Sequence, residues 1–393
     1  MALKMTKLLI LPLLVVSLQA ESFEQFLADS LEKSPLLKTN ALSLKQADEK
    51  ANLTTRYKNP TLSLEASNFS PDVLGNDALG YRAAIAQPIR LWGVSSSREA
   101  LAEAQKEQTS ASVKLSRANF ILQLSTLYAE YKRAVLAEAL AQEELSIAKH
   151  IASISNERYK NGTIARVKFI QASLDEKRVE NFLAETRVTK TSAYYRLMGF
   201  RGLNEEVSVD TDYSFKLSNR NDTTNNAQIE FSKASVKSAS ANAELNANKL
   251  EWINLNAEFE QEPDQSIARV SVDIPLVLFN TKSQEKQIAK IESKKAEFLT
   301  ENLSQQMAFR LRELSNSIVT LSEVEKTSQE LLAQEQELLN MYEEGYKIAN
   351  IDLIELQTIK NQLIETKENL LKITLKKELN IIEHNFLTGT YNE

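Results

Sequence analysis

The sequence predicts a mainly α-helical fold with a small β part, in which one order of elements occurs twice. Three observations predict it. Gly occurs 8 times and Pro 7 times in 393 residues, so few breakers interrupt a chain rich in helix-forming residues. Sequence landmarks recur at a fixed offset along the chain. Four short segments alternate apolar and polar residues, which is typical of strands with one apolar face.

The recurring landmarks predict an internal repeat. Tyr159 and Tyr346 are each followed by Lys and stand 187 residues apart, as do Pro88 and Pro275. Two independent landmarks at one offset indicate duplicated structure. The predicted organisation is a signal peptide, a first repeat, a polar linker without apolar periodicity and a second repeat. These segments cover residues 1–20, 21–200, 201–226 and 227–393.

The N-terminal segment has the features of a secretory signal peptide. Lys4 and Lys7 precede a short apolar run, and Ala20 offers a small residue for cleavage. The alternative is a membrane anchor, but the run is too short to cross a bilayer core of about 30 Å. An exported chain without a later apolar helix is either soluble in the periplasm or enters a membrane through β-strands.

Each repeat is predicted to contain a first helix, two strands, a long helix of roughly 100 Å and a return helix. Ser22 starts a capping-box spacing, which satisfies free amides at a helix start. The long helices carry apolar residues on more than one face, which suits a neighbour on each side, as in a cylinder of helices. The predicted helices cover residues 22–57, 95–160 and 167–197, then 227–250, 281–344 and 353–386.

The alternating segments at residues 62–67, 81–89, 253–260 and 268–274 predict four strands with one apolar and one polar face. Four strands cannot close a barrel, since the smallest membrane barrels have eight. Three copies would give twelve, enough for a transmembrane barrel with an aqueous lumen. The alternative is a small soluble sheet that caps a helical bundle.

Composition excludes several classes of function. The chain has no Cys, which excludes disulfides, thiolate metal sites and lipid anchoring through Cys. His150 and His384 are the only histidines, so a His-based metal centre is not expected. The net charge of -6 indicates no basic surface for nucleic acid. No phosphate-binding loop or hydrolase motif occurs, so we expect neither an enzyme nor a cofactor.

Five short motifs occur in a defined order, at residues 59–64 (NPTLSL), 86–89 (AQPI), 158–163 (RYKNGT), 273–276 (DIPL) and 345–352 (GYKIANID). None of these motifs is specific by itself, whereas their order and their duplication are specific. Together they resemble the TolC family of outer-membrane efflux proteins over essentially the whole mature chain. Residues 59–71, with residues 87–98, are most similar to the heavy-metal (cobalt–zinc–cadmium type) branch of that family.

The resemblance implies a homotrimer in the outer membrane that extends into the periplasm of a Gram-negative type bacterium. Three copies would form an α-helical barrel and a 12-stranded trimeric transmembrane β-barrel. A periplasmic adaptor and an inner-membrane pump of the resistance-nodulation-division type would complete the system. The chain would conduct substrate passively to the exterior, with metal cations as a candidate substrate. The alternative is a soluble periplasmic helical-hairpin adaptor or scaffold protein.

The resemblance also assigns candidate residues to the turns that join the long and return helices. Glu355 matches an acidic gate position, where three copies would form a ring of carboxylates that can bind cations. Alternatively, Glu355 is an exposed charge that favours the helix dipole. Lys168 is its repeat counterpart and could pair with a neighbouring acid. The gate candidates are Asp352, Glu355 and Lys168, and the adaptor-docking candidates are Tyr159, Gly162, Thr163, Tyr346, Ala349 and Asn350.

Three further expectations concern individual positions. Ala349 stands where the family usually has Gly in the second repeat, which would make that turn less sharp. The short linker implies a reduced equatorial belt. Trp92 and Tyr81 lie at predicted strand ends, where they would belong either to an interfacial aromatic girdle or to ordinary packing.

Overall fold

A computed structural model describes residues 21–70, 75, 77–348 and 350–392. The predicted signal peptide and Ala349 therefore lie outside the described residues. The order of elements is α1 (Phe23–Lys33), α2 (Pro35–Thr55), β1 (Thr61–Phe69), β2 (Ala78–Arg90), α3 (Trp92–Lys160), α4 (Arg166–Arg201), α5 (Ala227–Ala247), β3 (Trp252–Gln261), β4 (Ser266–Asp273), α6 (Ser283–Lys347) and α7 (Leu353–Leu387).

The long helices α3 and α6 have 69 and 65 residues, and each is followed by a return helix. This confirms the helices predicted from the scarcity of breakers. None of the described helices combines the length and apolar character needed to cross a membrane. The described residues divide into two compact units. We call residues 21–35, 127–215 and 335–371 the turn unit, and residues 36–126, 216–334 and 372–392 the sheet unit.

The predicted helix at residues 22–57 is wrong in one respect, because the structure divides it between α1 and α2. Ser34 leaves the helical region, with ψ at 125°, and Pro35 begins the next helix. The proline ring disfavours a helical residue before it, whereas proline fits the first position of a helix. The N-terminal cap is confirmed, since the Ser22 side chain accepts a hydrogen bond from the Gln25 amide.

The sheet unit contains a four-stranded antiparallel sheet in the order β1-β2-β3-β4. The register pairs Glu65 with Arg82 and Glu258 with Arg269. Successive side chains of a strand point to opposite faces, so one face carries these charges and the other carries the apolar residues. A buried cluster in the same unit joins α6 to α7 through Leu311, Leu314 and Phe386, which agrees with the predicted stripes.

Arg90 at the end of β2 anchors the end of α2 within the sheet unit. Its side chain is buried and donates to the carbonyls of Thr55 and Arg56, at 2.9 and 2.6 Å. The guanidinium also lies over the rings of Tyr57 and Trp252, 4.8 and 4.7 Å from the centroids. Carbonyls at the end of a helix have no partner within the helix, so Arg90 supplies the hydrogen-bond donors that they need.

Part of the predicted linker belongs to the turn unit and contributes two residues to an aromatic cluster there. Tyr213 and Phe215 pack on Phe23, with ring centroids 4.8 and 5.2 Å apart, and Tyr128 completes the cluster. Tyr128 also donates to the Asp210 carbonyl at 2.8 Å. The polar composition of the linker gave no periodic signal for this cluster, because the two aromatic residues belong to neither a helix nor a strand.

Candidate gate and docking site

The first helix–helix turn closes through backbone geometry that requires glycine. Gly162 has φ +73°, a left-handed conformation that costs other L-residues roughly 1–2 kcal/mol. The Thr163 amide and hydroxyl both donate to the Arg158 carbonyl, at 2.9 and 2.8 Å. Tyr159 stacks on Phe169 of α4, with centroids 5.7 Å apart. The family motif at residues 158–163 thus forms a compact end to the α3–α4 hairpin.

The second helix–helix turn packs closely against its own helix. The Asn350 amide donates to the Gly345 carbonyl at 3.0 Å. A Cβ atom at Gly345 would lie 2.5 Å from the Cδ1 atom of Ile351, so the missing side chain leaves room for Ile351. The expectation for Ala349 is untested because that residue lies outside the described part of the chain.

Arg158 and Tyr346 connect the two turns. The Arg158 guanidinium donates to the Tyr346 carbonyl at 2.7 Å and lies 4.5 Å from the centre of its ring. The Tyr346 hydroxyl is 2.8 Å from the Ser155 hydroxyl oxygen. Tyr346 is only 1% exposed, so its side chain positions the turn and does not offer a contact surface to a partner in this conformation.

Lys168 and Asp352 form a second connection, an ion pair across the turns. The same carboxylate oxygen of Asp352 accepts a hydrogen bond from the Leu353 amide at 2.6 Å, one of the first amides of α7 that have no partner within the helix. The Lys168 ammonium, through its hydrogen bond, is the main cause that lowers the pKa of Asp352. The prediction that Lys168 pairs with a neighbouring acid is confirmed. Its partner is Asp352, while Glu355 is exposed and pairs with no described residue.

These groups surround a polar cleft of about 480 Å³. The cleft brings together the gate candidates Lys168 and Asp352 with the docking candidates Thr163, Tyr346 and Asn350, and Glu355, Tyr159 and Gly162 do not line it. The cleft could hold water or a polar side chain of a partner. A lysine, an aspartate and an arginine meet at this partly exposed site.

Sequence reasoning missed a buried ion network in α7. Lys360 is 1% exposed, and its ammonium lies 2.7 Å from an Asp175 carboxylate oxygen and 3.6 Å from one of Glu144. Burial raises the pKa of Glu144. A signal was present in the sequence, because Lys360 follows Leu356 by four residues and precedes Leu363 by three, within the apolar stripe of α7.

No metal centre is found within the described ranges, where no three His, Cys, Asp or Glu side chains are grouped to hold an ion. His150 is exposed. His384 is buried, and its desolvation lowers the pKa of the imidazole. This is the environment of a neutral histidine in a packed core.

The family model for outer membrane efflux proteins matches residues 26–202, and the fold described above agrees with that match. The match covers just under half of the chain, so this part of the chain is similar to the outer membrane efflux family. Members of the outer membrane efflux family are channel proteins and not enzymes, which agrees with the expectation from the sequence motifs. This confirms the family resemblance derived from the duplicated motifs.

One curated relative is similar to part of the chain. It is 24% identical over 188 residues to the nickel-cobalt-cadmium resistance protein NccC of Alcaligenes xylosoxydans xylosoxydans, an alignment that covers 48% of this chain and 43% of that protein. The match thus spans less than half the length of this curated relative.

Solved structures of outer-membrane channels share the fold. The channel OprN has a TM-score of 0.80 at 13% identity, with 94% of this chain and 90% of that chain covered. CusC, whose structures concern conformational changes that accompany folding and transmembrane channel formation, has a TM-score of 0.78 at 17% identity. The superposition covers 93% of this chain and 91% of the CusC chain. The fold of these outer-membrane channels therefore extends over nearly the whole chain.

Proposed function

We propose that three copies of this chain form a passive conduit in the outer membrane, through which an energised pump expels substrate from the cell. The observation that carries the proposal is the sheet, which has an exposed apolar face. Leu64 is 74% exposed and Val270 is 78% exposed. An apolar face of this kind is unfavourable in water and matches the lipid-facing surface of a membrane barrel.

The edges of the sheet support the trimer. In the order β1-β2-β3-β4, the outer edges of β1 and β4 have no strand partner within the described chain. Unpaired strand edges are not tolerated in lipid. In water, the free N–H and C=O groups of an edge strand tend to pair with another chain. Three copies supply twelve strands, which closes every edge and turns the charged faces towards a wet interior.

The turns supply the proposed contact with a periplasmic adaptor and the gate. The exposed turn residues Tyr159, Gly162, Thr163 and Asn350 offer the docking surface. The ion pair between Lys168 and Asp352 links the two turns and serves as a latch. Glu355 is exposed and would form a ring of three carboxylates in a trimer. The adaptor would connect the conduit to an inner-membrane pump of the resistance-nodulation-division type.

Metal cations are the proposed substrate class. The support is the similarity to NccC, whose name specifies nickel, cobalt and cadmium resistance, together with acidic side chains on the polar face of the sheet. Glu65, Glu258 and Glu260 lie on that face. Cells that lack the chain should lose resistance to these three ions and keep resistance to organic drugs. Loss of drug resistance alone would contradict the metal assignment.

Conductance tests the conduit itself. Detergent-extracted protein should insert into planar lipid bilayers and give discrete conductance steps, and protein dissociated by heating before addition should give none. Native trimers that insert without any conductance would contradict the proposal.

A further inference from the structure

We propose that β4 of one copy pairs with β1 of the next in a single register, in which Glu65 lies directly opposite Arg269 of the neighbouring copy. This inference rests on the proposed trimer and specifies the contact between its copies. It is carried by two independent observations, the charges at the sheet edges and the lengths and faces of the two edge strands.

A row of alternating charges crosses the polar face of the sheet. Glu65 on β1 lies 3.4 Å from Arg82 on β2, which lies 2.6 Å from Glu258 on β3. Arg269 on β4 pairs with Glu258 and with Glu260, at 2.7 Å from the latter. The row begins with a carboxylate on one edge and ends with a guanidinium on the other.

The two terminal charges are available to a neighbour. The side chain of Glu65 is 60% exposed and that of Arg269 is 50% exposed. The 3.4 Å distance from Glu65 to Arg82 is the longest between charged atoms in the row, so the Glu65 carboxylate has the weakest ion pair. Opposite charges on facing strands stabilise a pair of strands, and like charges destabilise it. The β1 edge of one copy is therefore complementary to the β4 edge of another.

Strand direction and length agree with this pairing. In an antiparallel sheet of four strands, β1 and β4 run in opposite directions, so the edges of two copies meet as antiparallel neighbours. Setting Glu65 opposite Arg269 places Thr61 opposite Asp273 and Asn68 opposite Ser266. All 8 residues of β4 then find partners within the 9 residues of β1.

The two faces also match in this register. Leu62 and Leu64 fall opposite Val272 and Val270, on the apolar face, and Ser63 falls opposite Ser271 on the polar face. A shift by one residue would set charged residues on the apolar face. A shift by two, in either direction, would leave at least one residue of β4 without a partner and would move Arg269 away from Glu65.

The consequence is a continuous belt of alternating charge around the interior of the trimer. The belt specifies which edge joins which, since an edge presenting the same charge would be repelled. The Glu65–Arg269 pair would stabilise the contact between copies in the same way as the ion pairs between neighbouring strands stabilise the sheet within one copy.

A disulfide between copies tests the register, because the chain has no Cys of its own. The double variant Ser63→Cys/Ser271→Cys places two thiols directly opposite each other across the proposed contact. Within one copy, the two positions are three strands apart, about 14 Å, so a disulfide can only join different copies. We expect oxidised membranes to yield covalent dimers and trimers on denaturing gels, which reduction returns to monomers.

The matched control is Ser67→Cys/Ser271→Cys, whose β1 thiol is four residues, about 13 Å, farther along the strand. It should remain monomeric on the same gels. Cross-linking of the control alone, or of both pairs equally, would overturn the single register. A native trimer in which neither pair cross-links would also overturn it, while leaving the proposed conduit intact. A soluble monomer would overturn the conduit and the register together.

Discussion

Lys168 of α4 and Asp352 at the start of α7 form an ion pair that links the two helix–helix turns. The repeat makes Lys168 the counterpart of Glu355, yet the structure pairs Lys168 with the acid that precedes Glu355 by three residues. Asp352 also accepts a hydrogen bond from the Leu353 amide at the start of α7. Asp352 therefore has two roles, one in the position of the helix and one in the link between turns.

Removing the charge of Asp352 should loosen the latch. A partly exposed ion pair contributes about 0–1 kcal/mol, so Asp352→Asn should raise the leak conductance of the reconstituted channel by at most about fivefold. Lys168→Gln should give a similar rise, and the double variant should add little beyond the larger single effect. An additive double variant would show that the two residues act separately.

The latch should respond to acid in a defined direction. Lys168 lowers the pKa of Asp352. The ion pair therefore stabilises the linked turns at any pH above the ordinary pKa of an aspartate. This stabilisation is lost as the pH falls through the lowered pKa of Asp352. Leak conductance of the natural chain should stay flat from pH 7 to about 5 and rise below about pH 4. The Asp352→Asn variant should lack the part of the rise that comes from this pair. A rise near neutral pH would contradict this assignment.

Glu355 distinguishes the gate hypothesis from a simple helix-start charge. If three carboxylates hold the turns through bound cations, Glu355→Ala should increase leak conductance, and Glu355→Gln should do the same because it removes only the charge. If Glu355 serves the helix dipole, both variants should lower stability by about 0.3–1 kcal/mol without changing conductance. Unchanged conductance removes the gate role.

The buried network of Lys360 should matter for stability. Lys360→Met leaves Asp175 and Glu144 close together without their cation, and losing one partner of a buried pair costs about 3–5 kcal/mol. The apparent melting temperature should fall clearly. The triple variant Lys360→Met/Asp175→Asn/Glu144→Gln removes all three charges and should recover most of the loss. A triple variant as unstable as the single one would show that Lys360 acts through packing.

The apolar face of the sheet should reject charge if it contacts lipid. Val270→Lys should disfavour assembly in the membrane by about 2–4 kcal/mol near the bilayer centre. The adjacent Ser271→Lys, on the polar face, is the matched control and should assemble. The measurement is the amount of trimer in the outer-membrane fraction. Equal assembly of both variants would mean that Val270 faces water.

Sequence patterns predicted most of the fold because its elements are long and regular. The scarcity of Gly and Pro located the long helices to within three residues of their observed ends. Alternation located the strands, although β2 spans residues 78–90 and so begins three residues before the predicted segment 81–89. The break before Pro35 was readable from a local rule, since a residue before proline avoids the helical conformation. It was missed because the apolar pattern continues across it.

The contacts of the candidate site were less predictable. The resemblance named Lys168 and Asp352, but pairing them requires the position of α4 against α7, which no local pattern contains. The apolar stripe of α7 indicates that Lys360 is buried, but its partners Asp175 and Glu144 are 185 and 216 residues away and no local pattern identifies them. The contacts of Arg90 were equally unpredictable, because the fold brings the end of α2 and the Trp252 ring to its side chain.

The central claim is that three copies share one membrane sheet, and the native mass of the mature chain extracted by detergent from the outer-membrane fraction tests it most directly. The account predicts a complex of three copies in that fraction. A monomer or dimer recovered from the soluble periplasm would contradict the shared conduit and favour a helical scaffold protein.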